Sequence, residues 1–98
     1  MLTVFRSRLR PGVEEQYRPL AAEMEALART MPGFVDFKGF VAADGERVSI
    51  VTFADSRSQQ AWRDHPDHRA AQRRGRQDLY ETYTVQVCTL QREHRFPG

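Results

Sequence analysis

The side chains best able to do chemistry are concentrated between Trp62 and Tyr83, in the stretch WRDHPDHRAAQRRGRQDLYETY. It holds the only Trp, two of the three His and two of the three Tyr. An indole offers a flat stacking wall and a single N–H donor. An imidazole, with an ordinary pKa of about 6.5, takes or gives a proton near neutral pH. His65 and His68 stand three residues apart, so a helix starting at Pro66 puts them on one side together with Trp62. Such a set could stack on, orient and exchange protons with an aromatic ligand, which makes Trp62, His65 and His68 the catalytic candidates. A plainer role competes for each: core packing for Trp62, a helix cap for His65, an exposed first-turn position for His68.

Phe37, Arg76 and Tyr83 are the substrate-binding candidates. Arg76 can hold a substrate oxyanion, although an Arg just beyond a helix commonly serves as an ion-pair partner at a surface or interface. Tyr83, like Tyr80, borders either the pocket or a subunit seam. No metal is expected, because His94 is far along the chain and Asp64 and Asp67 are the only further ligands near the His pair. No cofactor is implied by any motif, and nothing resembles a nucleophile elbow or a zinc signature. The single Cys88 has no disulfide partner and no second thiolate for a metal. It lies in a strand-like segment and is expected to be a small apolar filler.

The elements that must position these groups belong to one domain of 98 residues, short enough that its core is small and help from a partner subunit is plausible. At 40% hydrophobic and 29% charged the composition is globular. With no apolar run of membrane-spanning length and no signal-peptide pattern at Met1, the expectation is a soluble cytoplasmic protein that does not engage a membrane. Net charge is only +2, and Arg69, Arg73, Arg74 and Arg76 lie beside Asp64, Asp67 and Asp78. That arrangement reads as a solvated helix face, so nucleic acid is not an expected partner.

Met1 to Arg10 reads as a first strand, ended by Pro11-Gly12. Val13, Tyr17, Leu20, Met24, Leu27 and Met31 recur at steps of four and three, the spacing of one helical face. Pro19 should kink this helix or mark where its regular part begins. Phe34 to Ala43 and Arg47 to Phe53 read as a hairpin, with Asp44-Gly45 supplying the positive φ values of a tight turn. Ser56 and Gln59 have capping-box spacing, which predicts a helix from about Arg57 to Asp64. Pro66 fits the first turn of the next helix, capped by His65 and running to about Arg76. A long last strand is predicted from Tyr80 or Glu81 to Glu93.

The order β-α-β-β-α-β, with the second helical segment split, is that of a ferredoxin-like α+β domain with a four-stranded antiparallel sheet. Alternation places Phe34 and Phe40 opposite Val35, Phe37 and Val41, and Val48 and Ile50 opposite Val51 and Phe53. Tyr83, Val85 and Val87 oppose Cys88 and Leu90. Both faces are apolar while the helices can cover only one, which predicts a homodimer closed face to face.

Trp62-x-x-His65-Pro66-x-His68, followed by Ala71-Gln72-x-x-Gly75-Arg76, Tyr83 and Val87-Cys88, resembles small stand-alone members of the antibiotic biosynthesis monooxygenase family. The likeness extends to Arg10-Pro11-Gly12 and Met31-Pro32-Gly33-Phe34. It implies a dimeric α/β barrel with a pocket between sheet and helices in each subunit, and Trp62 as the pocket tryptophan. Some members oxidise polycyclic phenols or anthrones to quinones with O₂ and no cofactor, while others degrade haem. The haem-degrading branch would need a His and an Asn where this chain has Gln72 and Phe5. The quinone-forming branch would have an Asn and a Tyr where this chain has Ser58 and His68. The expected function is cofactor-independent oxygenation of a small aromatic, phenolic or quinone-like molecule. A non-catalytic ligand-binding or dimerisation module is the alternative, and haem degradation lacks its expected side chains.

Overall fold

A computed structural model describes residues Met1 to Gly98. In chain order they form β1 (Leu2–Leu9), α1 (Glu14–Thr30), β2 (Phe34–Val41), β3 (Arg47–Phe53), α2 (Ser56–Asp64), α3 (Pro66–Arg74), a π-helical turn (Gly75–Leu79) and β4 (Tyr80–Cys88). All strand pairs are antiparallel, in the order β2-β3-β1-β4. The ferredoxin-like arrangement expected from the order of elements is therefore the one found.

In α1 the apolar stripe meets the sheet as its spacing requires. Tyr17, Leu20 and Ala28 are buried, with Val13, Met24, Leu27 and Met31 packed beside them. Pro19 neither starts nor interrupts this helix, which is continuous from Glu14. So near the N-terminus, proline forfeits only the one bond its N–H would have made to the Glu15 carbonyl, and packing of the stripe outweighs that loss.

The β2-β3 connection differs from a two-residue turn. Gly45 N–H donates to the Ala42 carbonyl (2.9 Å) and Ala42 N–H to the Glu46 carbonyl (2.8 Å), leaving three residues in the loop. Only Gly45 has positive φ, at 91°, and Asp44 does not. A three-residue loop of this kind needs a left-handed residue only at its last position, where glycine pays no Cβ penalty. Asp44 instead accepts from Glu46 N–H (3.0 Å) and pairs with Arg8 (2.7 Å), while Glu46 pairs with Arg6 (2.9 Å), so the tip is tied to β1.

Two irregularities re-aim aromatic side chains. The β2-β3 register shifts between Phe34 and Asp36, so Phe34 pairs with Phe53 and Phe37 with Val51. Phe34 and Phe37 thus share the helix-facing side, against the simple alternation, because a bulge adds one residue without a partner. The β1-β4 register shifts likewise between Arg8 and Leu9, giving Arg8↔Thr82 and Leu9↔Tyr80. Tyr80 and Tyr83 both face the helices as a result, their ring centroids 5.5 Å apart.

The cap of α2 is Asp55, whose carboxylate accepts from Ser58 N–H (2.8 Å), and Ser56 already lies inside the helix. An ionised carboxylate is the stronger acceptor for an N3 donor, which explains the choice over the capping box. α3 ends at Arg74, and a π turn replaces its expected last residues. β4 stops at Cys88, and Leu90 lies beyond it, half exposed. β1 begins at Leu2, which pairs with Cys88, so residues after Cys88 have no strand to pair with. Cys88 is exposed on the far side of the sheet and is not a core filler.

Only 13 of the 98 residues are buried, and the core is divided. One cluster joins Tyr17, Leu20, Ala71 and Leu79; the other joins Ala28, Val51, Phe53 and Trp62. The π turn closes the first cluster. Gly75 has helical φ and ψ, so propensity alone would favour Ala. However, the Tyr80 ring occupies the space a Gly75 Cβ would need, and Phe5, Tyr17 and Tyr83 hold that ring. Gly75→Ala is expected to lower stability by about 1–2 kcal/mol, as overpacking exceeds the helical gain. A urea midpoint equal to or above that of the parent would show that the ring swings away freely.

Candidate functional site

Between α1 and the helix-facing side of the sheet lies a cavity of about 500 Å³. It separates the two core clusters, since Tyr17, Leu20 and Ala71 line it from one and Val51 and Trp62 from the other. The sheet contributes Thr3 and Phe5 from β1, Phe37 from β2 and Val85 from β4, and the short helices contribute Gln59, Trp62, His68 and Gln72. This is a largely apolar volume with a few polar groups, the usual make-up of a small-molecule site.

Trp62 is its anchor. The indole is 5% exposed and touches three elements: Phe53 (ring centroids 5.6 Å apart), Phe37 (6.4 Å, edge on) and His68 (4.4 Å, edge on). The break at Pro66 makes the last contact possible, because α3 restarts at an angle and brings its first turn back over α2. His68 is consequently buried and lines the cavity, where an exposed first-turn position was the plainer expectation. Burial pushes its imidazole pKa down to about 4, against an opposing pull from the backbone of Arg63 and with a smaller lowering from His65. His68 is therefore neutral at physiological pH.

Three buried polar atoms of cavity-lining side chains have no hydrogen-bond partner: Trp62 Nε1, His68 Nδ1 and Thr3 Oγ1. A buried polar atom left unpaired costs on the order of 1–3 kcal/mol, and these three are enclosed in the cavity's walls. The Tyr80 phenol also borders the cavity, and burial next to Tyr17 raises its pKa, keeping it protonated. Arg47 closes the rim, its guanidinium over the Tyr17 ring (5.2 Å) and bonded to Glu14 (3.2 Å).

Phe37 joins Trp62 and His68 in this cavity, but the other sequence candidates stay outside it. His65 is the cap of α3, its Nδ1 accepting from Asp67 N–H (3.1 Å). The residue before Pro66 is held extended, which turns the ring onto its own helix and away from the cavity. Tyr83 packs on Phe5 (5.5 Å) and accepts from Arg76 Nη1 (3.3 Å), and neither Tyr83 nor Arg76 lines the cavity. No group of three or more His, Cys, Asp or Glu side chains is placed to hold a metal ion.

Gln59, Thr3, Tyr17 and Gln72 add to the polar lining, with Glu25, Ser49 and Arg63. Gln59 is legible in retrospect from its three-residue spacing before Trp62, which puts both on one face of α2, and both are buried. Ser58, the position the family resemblance pointed to, lies instead against Gly33. Thr3 carries no comparable signal, since strand alternation cannot say which face holds a cavity.

Comparison with known proteins bears on this geometry. Residues 1–74 match the family model for antibiotic biosynthesis monooxygenase. An uncharacterised protein of Bacillus subtilis, YqjZ, is 32% identical over 80 residues, spanning 82% of this chain and 70% of that protein. Among solved structures, Rv0793 from Mycobacterium tuberculosis superposes with a TM-score of 0.84 at 20% identity, covering 96% of this chain and 97% of its own. SnoaB from Streptomyces nogalater, a cofactor-independent oxygenase, superposes with a TM-score of 0.80 at 18% identity, covering 94% of this chain and 93% of its own. At such identities the structural likenesses concern the fold, whereas the match over residues 1–74 and the Bacillus relative concern descent. The chain belongs to the antibiotic biosynthesis monooxygenase family.

Proposed function

We propose that the chain is a cofactor-independent monooxygenase that converts a small phenolic or anthrone-like aromatic to a quinone, and that it works as a cytoplasmic homodimer. The observation that carries the reading is the apolar cavity walled by the Trp62 indole and by a buried, neutral His68 imidazole. In such a reaction the substrate loses a proton, and the resulting carbanion passes electrons to O₂. One oxygen atom becomes the new carbonyl and the other leaves as water. Trp62 supplies a stacking wall and a donor for the substrate oxygen, and the apolar walls exclude bulk water from the carbanion. His68 is a weak base in the empty cavity, but a substrate anion beside it would favour the imidazolium and raise its basicity on binding. Membership in the family and the fold shared with the oxygenase SnoaB support the class of reaction.

The far face of the sheet supports the homodimer. By register it presents Leu2 and Val4 of β1, Val48 and Ile50 of β3 and Phe40 of β2, with Phe40 half exposed. On β4 the same face is Thr82, Thr84, Gln86 and Cys88, so the apolar patch is confined to three strands. A dimeric mass by light scattering at micromolar concentration is expected, and a monomer there would overturn this part of the reading.

A binding module without catalysis is the competing reading, favoured by the low basicity of His68. Oxygen uptake separates the two, since reduced anthrones and hydroquinones should consume O₂ with the protein present and not with a binding module. Trp62→Phe is expected to keep the fold and weaken substrate binding by about 1–3 kcal/mol, through lost stacking area and the lost N–H. His68→Ala should slow turnover by roughly 10²-fold. Unchanged activity in both variants would remove these two side chains from the mechanism. Haem with a reductant should yield no open-chain tetrapyrrole, because cavity-lining Gln72 offers no imidazole and Phe5 no amide where the haem-degrading branch uses them.

His68 also makes stability depend on pH in a defined window. Its folded pKa lies below its ordinary value of 6.5, so between pH 6.5 and about 4 the unfolded chain binds a proton that the folded chain does not. The contribution is fully present above that window and is lost as pH falls through it, by about 2–3 kcal/mol between pH 7 and 4.5. Urea midpoints at those two pH values should differ more for the parent than for His68→Phe. An equal drop in both would place the imidazole in solvent.

A further inference from the structure

We propose that the aromatic body held in the cavity carries an anionic substituent of carboxylate type, received by an arginine-lined recess that adjoins it. This rests on the reading of the cavity as an aromatic-ligand site and adds a charge requirement to it. The recess, about 430 Å³, is lined by Arg63, Asp64, Arg69, Gln72, Arg73 and Arg76, with no apolar residue. Arg63 and Gln72 border both volumes, so a ligand passing between these two side chains has one end among aromatic walls and the other among guanidinium groups.

The recess is built by helix periodicity. Arg69, Gln72, Arg73 and Arg76 follow at steps of three, one and three, which keeps them on one face as α3 passes into the π turn. His68 and Ala71 take the adjacent, buried face. Four guanidinium groups converge against one carboxylate, and that carboxylate is already engaged. Asp64 Oδ1 accepts from Arg63 Nε (3.1 Å) and Arg69 Nη2 (3.2 Å), which holds its carboxyl below the ordinary pKa and keeps it ionised. Arg73 and Arg76 have no carboxylate partner, and Arg76 donates only to the neutral Tyr83 hydroxyl. Like charges gathered around a concave surface favour an incoming anion, and the planar fork of Arg matches a carboxylate in two parallel hydrogen bonds.

The test uses a matched pair of probes, anthraquinone-2-carboxylate and its neutral carboxamide, titrated at pH 7 against the fluorescence of Trp62. As the only Trp in the chain and a cavity wall, it reports occupancy of the cavity directly. The carboxylate should bind at least about tenfold more tightly than the carboxamide, with the advantage shrinking in 0.5 M salt. In an Arg73→Gln, Arg76→Gln double variant the two affinities should converge through loss of carboxylate binding alone. Arg74→Gln, which removes a charge that lines neither volume, should leave the advantage intact. Equal affinities in the parent would overturn the proposal, as would an advantage that survives in the double variant or disappears equally in Arg74→Gln. If the carboxamide binds and the carboxylate binds no better, only the anionic requirement falls. If neither probe quenches Trp62, the aromatic-ligand reading of the cavity falls with it.

Discussion

The packing of one indole holds together the part of this molecule that carries the short helices. α2 and α3 are nine residues each, too short to be stable helices on their own, so tertiary contacts must hold them. Trp62 supplies the shared contact, meeting Phe53 and Phe37 on the sheet and His68 on α3. Everything that makes the site follows from that anchorage being at one end of the helix layer. At the other end Tyr17, Leu20, Ala71 and Leu79 form a second, separate knot. The interval between the two knots is the cavity.

A divided core is an expensive way to build a domain of this size, because a small domain has little apolar burial to spare. Filling the interval with larger side chains would stabilise the fold and remove the site. The cost is compounded by polar atoms enclosed in the walls. Trp62 Nε1, His68 Nδ1 and Thr3 Oγ1 are buried without partners, and His68 is held neutral by the same burial. Each would be cheaper as an apolar atom of the same shape or as an exposed group.

α3 links this interior to the surface chemistry outside it. One face of the helix carries His68 and Ala71 into the cavity, and an adjacent face carries Arg69, Arg73 and, past the π turn, Arg76. Gln72 lies between the two faces and borders both volumes. The widened turn at Gly75 also allows the Tyr80 ring to lie over the backbone, which brings the end of the helix close to the start of β4. The apolar and the charged environments thus lie on adjacent faces of a single helix.

The sequence by itself determined the class of fold, because periodicity and punctuation are local properties. The α1 stripe from Val13 to Met31, Pro66 as a helix start with His65 as its cap, and the order of elements could all be read without three-dimensional information. The Trp62 block likewise pointed to the family, and Phe37, Trp62 and His68 do meet in one cavity. Tertiary structure alone decided the rest. Two bulges turn Phe34 and Tyr80 to the helix side, and a bulge is defined by a strand's partner rather than by its own residues. His65 and His68, chemically identical in the sequence, become a surface cap and a buried neutral base, separated only by the direction in which α3 sets out from Pro66. Burial is a property of the assembled layers, and it fixes the protonation of an imidazole and the availability of an N–H. The spacing of residues carries only the possibility of both.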